Sequence, residues 1–361
     1  MKILLMGFAK LKYMPYAQFY LQHIDASHHE VHMLYWNRDG KPEATDAYQN
    51  IHLHEFVLNQ SDEASKLSKI GAFFRYKKFA ETLLAEENFD FVIALHTMPA
   101  VLTAQTLTRQ YANRYIFDYR DVTYEKFAPF RHRIHKIVLA SKATFVSSDA
   151  FRKYLPKCDK IYTSHNLALE ALEHKKTFEK QKSNTPLRIA FWGYIRHFSI
   201  NKELIEKIAV DSRFELHYYG KEEETAIKLK KTANDIGADN IFFHGEYSPE
   251  QRYSFADNTD IIHNIYHDEN MMLAMPNKYY DALVFQLPQV CMPDSFMGIT
   301  AKKAGVGTVL DPRCPDFLDN LWEYYQNIDS NAFSENCDKE LARVFEEYQK
   351  GATFITETCQ G

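Results

Sequence analysis

A chain of 361 residues, 45% apolar and 25% charged, is too long for one ordinary core and comfortable for two. Its five cysteines (Cys158, Cys291, Cys314, Cys337, Cys359) show no CxxC spacing, which argues against a disulfide framework or a structural zinc and for a reducing, cytoplasmic compartment. No apolar run approaches the roughly 20 residues that span a bilayer, and the net charge of −5 divides into +4 over residues 1–170 and −9 over the rest.

Short apolar runs alternate with amphipathic stretches along the whole chain, the pattern of parallel α/β layers. In the first half, strands are predicted at Lys2–Met6, Glu30–Tyr35, Phe91–Leu95, Tyr115–Asp118, Thr144–Ser147 and Lys160–Thr163. Helices fall between them at Pro15–His23, Phe73–Ala85, Ala100–Tyr111, Pro129–Ala140 and Asp149–Leu155. Residues 174–186 (HKKTFEKQKSNTP) are polar, basic and aperiodic, and read as a linker closing a domain of residues 1–173. The pattern restarts with LRIAFW and a helix over Ile200–Val210, then FELHYY, IFFH and DIIHNIY, and continues to GVGTVLDP in a second domain of residues 187–330. Residues 331–361 carry a final amphipathic helix. The expected fold is α/β with two doubly wound, Rossmann-like domains.

In such folds ligands sit at the carboxyl ends of the strands. Three strands of the second half end there in glycine, at Gly193, Gly220 and Gly245, where a missing Cβ lets a ligand approach the backbone. Arg196 and Lys202 follow Gly193 within reach of a phosphate. Beyond them, MPNKYYDALVFQLPQVC places Lys278 and Asp281 on one face of a helix that ends before Pro288. A cation beside a carboxylate near a helix N-terminus suits the phosphates and the sugar hydroxyls of a nucleotide, although a plain surface ion pair would share the spacing. GxGxxG and GxxxxGK[ST] are both absent, which removes nicotinamide, flavin and P-loop enzymes.

In the first half, YIFDYRDVTYE delivers Asp118, Arg120, Asp121 and Glu125 to one strand end, and His96 ends another. Asp121 is a candidate general base or sugar-orienting group, with Arg120 paired to it or to a phosphate, although an internal Arg–Asp pair supporting the loop would share the pattern; His96 is a further candidate. His28, His29 and His32, and the pair His52 and His54, show no acidic partner at ligand spacing, so no metal is expected. Residues 126–142 hold five Lys and Arg and no acid, with Phe127, Phe130, Ile134, Ile137 and Val138 on one helical face; residues 69–78 (KIGAFFRYKK) are similar. Both would suit an anionic membrane surface. Nucleic acid is not expected.

These motifs resemble GT-B fold glycosyltransferases of the retaining family-4 (group 1) type, which build bacterial surface polysaccharides. The likeness is carried by RIAFWGYIRHFSINK, FELHYYGK, IFFHGEYSPEQRYSFADNTDIIHNIY and PNKYYDALVFQLP. It implies two domains across a cleft, a nucleoside diphosphate sugar donor, a glycan acceptor, lipid-linked in capsule or O-antigen synthesis, and no metal or other cofactor. Residue by residue it implies Arg196 and Lys202 on the diphosphate, Asp281 on the ribose and the Gly245–Tyr247 backbone at the base, with Gly193 and Gly220 as further backbone contacts and Lys278 as either a phosphate contact or a scaffold residue. Arg120 and Asp121 would face the donor sugar, and the final helix would cross back to the first domain. The chain departs from the family at Asp281, where glutamate is usual, at Gln286, where glycine is usual, and at Ala274, where a first glutamate would stand, leaving Glu269, Asn270 or Asn277 to meet the donor sugar. A catalytically silent nucleotide-sugar-binding subunit and a nucleotide-sugar epimerase are the alternatives.

Overall fold

The computed structural model describes residues 1–60, 65–181, 186–268 and 271–360. The chain divides into two compact units, residues 1–165 with 346–361, and residues 166–345. The first unit is built on a seven-stranded sheet: β1 (Lys2–Met6), β2 (Glu30–Asn37), β3 (His52–Val57), β4 (Phe91–Leu95), β5 (Tyr115–Tyr119), β6 (Ala143–Val146) and β7 (Ile161–Thr163). Every pairing is parallel and the order is β3-β2-β1-β4-β5-β6-β7. The second unit repeats the plan with β8 (Leu187–Trp192), β9 (Phe214–Tyr219), β10 (Ile241–Phe243), β11 (Ile261–Asn264), β12 (Gln289–Cys291) and β13 (Gly307–Val309) in the order β10-β9-β8-β11-β12-β13. In both, the winding reverses beside the first strand, at β1/β4 and at β8/β11. A ligand crevice opens at the carboxyl ends at such reversals. Strands such as β1, β4 and β8 are almost wholly apolar because helices cover both faces of a parallel sheet.

Two expectations change. Strand β3 (HLHEFV) was not among the predicted strands: it is an edge strand, largely open to solvent, and its polar residues hide the period. The second unit begins at Asn166, not after a linker at 174–186. Within that basic stretch Phe178 is buried in the second unit's core, and the Lys176 backbone N–H donates to Val284 O (3.1 Å). Lys180 Nζ donates to the carbonyls of Gln326 and Ile328, so these cations tie the segment down.

The helix Ser330–Gln360 serves both units. Cys337, Leu341 and Val344 lie in the second core, whereas Tyr348 meets Phe19 edge-on (5.0 Å) and Gly351 sits against Phe19 and Phe145 in the first unit. Gln286, which follows the helix Asn277–Val284, is left-handed (φ 51°), the conformation that makes glycine usual at such a position. The strain, roughly 1 kcal/mol, is offset by two hydrogen bonds. Its Oε1 accepts from Phe178 N (2.8 Å), and its Nε2 donates to Asp338 Oδ1 (2.9 Å) on the final helix.

Candidate functional site

In the second unit the three glycines lie on adjacent strand ends. Gly193 N donates to Tyr219 O (2.9 Å) and Gly220 N donates to Gly245 O (2.8 Å). A Cβ on Gly220 would stand 2.1 Å from Gly193 O, so only glycine lets these two ends pass. Gly193 (φ 133°) and Gly245 (φ 81°) hold backbone angles that other residues rarely adopt.

Lys278, in the first turn of the helix Asn277–Val284, reaches under Gly193 to this edge: a Cβ there would lie 3.4 Å from Lys278 Nζ. Its Nζ sits 4.0 Å from the Phe191 ring centre and 5.2 Å from that of Tyr266, at the ends of β8 and β11. Lys278 is buried (7% exposed), and among the described residues its ammonium has no hydrogen-bond or ion-pair partner. Burial pushes its pKa down to about 7; Asp281 opposes that shift and Arg196 adds to it. Beneath it lies His263 on β11, fully buried, with neither ring nitrogen hydrogen-bonded within the described residues. Burial, and then the Lys278 charge, pushes that imidazole down to about 3, so it is neutral.

Asp281 is not Lys278's surface partner. It is buried and accepts from Trp192 Nε1 (2.9 Å) and from Arg252 Nη1 on both oxygens (3.0 and 3.1 Å). Burial raises its pKa, and Arg252 is the main opposing influence. Trp192 and Arg252 were not among the predicted site residues. Arg252 carried no local signal, because its partner is 29 residues away. Arg196 is exposed over the Tyr194 ring (4.4 Å), close enough for its charge to act on Lys278. Lys202 stands on the helix Phe198–Ile208 in an i, i+4 ion pair with Glu206 (3.1 Å). Tyr247 is half-buried, edge-on to Phe255 (5.3 Å), and Asn277 is exposed at the start of its helix. Glu269 and Asn270 lie outside the described residues.

In the first unit the carboxyl ends of β4 and β5 bring His96 and Asp121 together, with His96 Nε2 2.9 Å from Asp121 Oδ2. His96 has φ 88° and ψ 158°, a region nearly reserved for glycine. Its Nδ1 accepts from Met98 N (3.4 Å) at the start of the helix Thr97–Leu102, and Thr97 Oγ1 donates to Asp121 O (3.0 Å). Because Nδ1 accepts, the neutral ring carries its proton on Nε2 and donates it to Asp121. Arg120, expected beside Asp121, pairs with buried Asp118 (3.1 Å) and stacks on Tyr16 (4.4 Å), so its contacts support the loop. Glu125 is buried and accepts from Thr123 N (2.5 Å), which leaves Asp121 as the exposed carboxylate of the four-charge cluster.

The histidines correct another expectation: Glu30 lies 2.8 Å from His32, so an acidic partner is present. In the helix Ala128–Ala140, Ile134, Ile137 and Val138 face the core; Phe127, expected on the same face, instead precedes the helix as its N-cap and is exposed, as are Leu139, Arg131, Arg133 and Lys136. In the helix Lys66–Glu87, Ile70 and Phe74 are exposed. Among the described residues no helix is long and apolar enough to cross a membrane.

No family model and no curated protein sequence matches this chain. Among solved structures it is similar to sucrose-phosphate synthase from Thermosynechococcus elongatus, at 11% identity and a TM-score of 0.74 over 99% of this chain and 98% of that one. It is also similar to HepE of Anabaena in complex with UDP, at 12% identity and a TM-score of 0.69 over 99% and 100% of the two chains. A glycosyltransferase from Rickettsia africae aligns at 13% identity and a TM-score of 0.68 over 99% and 98%. What is shared at these identities is the fold, two doubly wound parallel units in the GT-B architecture.

Proposed function

We propose that this chain is a glycosyltransferase that takes its sugar from a nucleoside diphosphate sugar held by the second unit. The observation that carries this reading is the buried Lys278 ammonium, without a counter-ion among the described residues, against the glycine edge at the β8/β11 reversal. A buried cation without a partner is costly, and a diphosphate arriving at Gly193 supplies the missing negative charge. Arg196 adds a second cation from the solvent side. Both would stabilise the charge that develops on the diphosphate as its bond to the sugar breaks, with no metal needed in that role. HepE, whose structure contains UDP, makes uridine nucleotides the first to test.

The His96–Asp121 pair is the proposed proton acceptor for the glycan hydroxyl. With His96 donating to Asp121 Oδ2, the base is the Asp121 carboxylate and His96 orients it. The acceptor oxygen forms the new bond to the sugar on the face from which the nucleoside diphosphate departs, as retention requires, and its proton passes to Asp121. Retention of configuration, a lipid-linked acceptor, surface-polysaccharide synthesis and docking on the inner face of the plasma membrane belong to the same proposal. The exposed Phe74 next to Arg75, and the exposed Phe127 before the helix that carries Arg131 and Arg133, are what support the docking. A silent binding subunit is the second reading, favoured by Asp281, whose oxygens are taken by Arg252 and Trp192 rather than free for a ribose.

Calorimetric titration and thermal shift with UDP, GDP and their sugars test the central claim. Wild type binds one of these nucleotides and Lys278→Ala loses that binding. If no nucleoside diphosphate binds wild type, the proposal fails. Release of nucleoside diphosphate with an acceptor present separates an enzyme from a silent subunit, and an epimerised donor without release marks an epimerase.

A further inference from the structure

The two units carry the same side-chain constellation on their second and third strands, with one difference. In the first unit Glu30 and His32 alternate along β2 and point to one face, and His52 and His54 do the same along β3. The register sets His32 opposite His52. His32 stacks on His52 (4.7 Å, 27°) and on His54 (5.0 Å, 13°). Its Nε2 lies 2.8 Å from Glu30 Oε1 and its Nδ1 2.7 Å from His54 Nε2.

In the second unit Glu215 and His217 alternate along β9 and His244 follows β10, with His217 Nε2 3.3 Å from Glu215 Oε2 and its Nδ1 3.1 Å from His244 Nε2. Opposite His217 in register stands Phe242, stacked at 4.8 Å and 21°. The shared part, a carboxylate–imidazole–imidazole chain, is thus explained as sheet packing in both places. What the first unit adds is a ligand atom where the second has a hydrocarbon ring.

We propose that Glu30, His32 and His52 bind a borderline divalent cation such as Zn²⁺. One carboxylate and two imidazole ligand atoms within 4.8 Å of one another suit a three-ligand site whose further position is left to water. His32 is buried and held, and His54 is the outer partner that such a site needs. With the His32 proton on Nδ1 and donated to His54 Nε2, the Nε2 lone pair faces the cation. The Lys2 ammonium, 3.5 Å from Glu30 Oε1, retains Glu87 as its acceptor when Glu30 turns to the metal. The site sits at the amino ends of β2 and β3, whereas His96 and Asp121 lie at carboxyl ends, so its role is to clamp an edge strand rather than to assist the transfer.

The test uses the full chain without an N-terminal tag, because Met1 lies beside His29, next to this edge. Zn²⁺ is titrated in competition with a chromogenic chelator. His52→Phe reproduces the arrangement around Phe242 and keeps the stack, and Glu30→Gln changes an exposed group; unfolding in excess chelator checks that both fold like wild type. Wild type takes up one equivalent, and each variant binds about tenfold more weakly or worse. Equal Zn²⁺ binding by wild type and His52→Phe overturns the proposal, as does less than one equivalent bound to wild type.

Discussion

Lys278 Nζ lies 4.0 Å from the centre of the Phe191 ring, and no carboxylate among the described residues forms an ion pair with it. An aromatic face attracts a cation weakly beside what water or a carboxylate would give. In the absence of ligand this residue therefore works against the fold.

Replacing Lys278 with Met should stabilise the protein, and the sign follows from linkage. The folded pKa is about 7, well below that of an exposed lysine, so the unfolded chain binds more protons between those values. The cost of Lys278 is fully present below pH 7, shrinks as pH rises, and vanishes once the unfolded lysine is also neutral. Urea unfolding at pH 7 should show Lys278→Met more stable by on the order of a few kcal/mol, with the gain gone above about pH 10.5. A variant less stable than wild type at pH 7 would contradict the burial argument.

Nucleotide binding should show the opposite dependence. A diphosphate favours charged Lys278, so in wild type the affinity for the bound nucleotide falls as pH climbs from 7 toward 9, by up to about tenfold per unit, since each pKa unit is worth about 1.4 kcal/mol. Calorimetry in buffers of different ionisation heat should register proton uptake on binding. Lys278→Met should bind weakly with a flat profile, and a falling profile in that variant would assign the titration to another group.

The sheet edges were legible because apolar runs ending in glycine mark both a strand and its carboxyl end. Gly193, Gly220 and Gly245 stand where the sequence places them, on neighbouring strand ends. The side-chain partners were not legible. Lys278 and Asp281 do share a helix face, but periodicity does not say what lies opposite, and it proved to be Phe191 for one and Arg252 with Trp192 for the other. Arg120 and Asp121 are neighbours whose side chains go to different partners, Asp118 and His96, because adjacent residues of an extended segment point apart. The pairing of Glu30 with His32 was hidden by reading histidine spacing without the strand period that puts i and i+2 on one face.

Asp281 and Arg252 form a buried pair, and removing one partner strands the other. Asp281→Ala should cost about 3–5 kcal/mol in unfolding free energy. An apolar pair of similar size, Asp281→Leu with Arg252→Met, should recover much of it. If the double variant folds well and still binds nucleotide, Asp281 holds the helix in place and does not grip the ribose. If binding is lost although stability returns, the ribose role stands.

Two glycines of the same edge should respond differently to alanine. At Gly220 the new Cβ would meet the Gly193 carbonyl at 2.1 Å, so the strand ends must separate and nucleotide binding should disappear with a large loss of stability. At Gly245 nothing lies within 4 Å, and the cost is the left-handed backbone alone, about 1–2 kcal/mol. Comparable losses at both positions would show that crowding at Gly193 does not shape the edge.

His96 holds a backbone conformation in which any Cβ is strained, at a cost of about 1–3 kcal/mol. The hydrogen bonds of its ring, to Asp121 and from Met98 N, are among the contacts that offset that strain. His96→Ala retains the strain and loses the hydrogen bond, whereas His96→Gly loses both, so the glycine variant should unfold at the higher temperature, contrary to the usual penalty for glycine. Sugar transfer should fall in both, and in Asp121→Asn by about 10²–10⁴-fold, the range of general acid–base contributions, while nucleotide affinity stays that of wild type. Nucleotide affinity falling in step with transfer would remove Asp121 from the role of base. His96→Gly less stable than His96→Ala would mean that the position is not strained, and that the imidazole contacts account for its conformation.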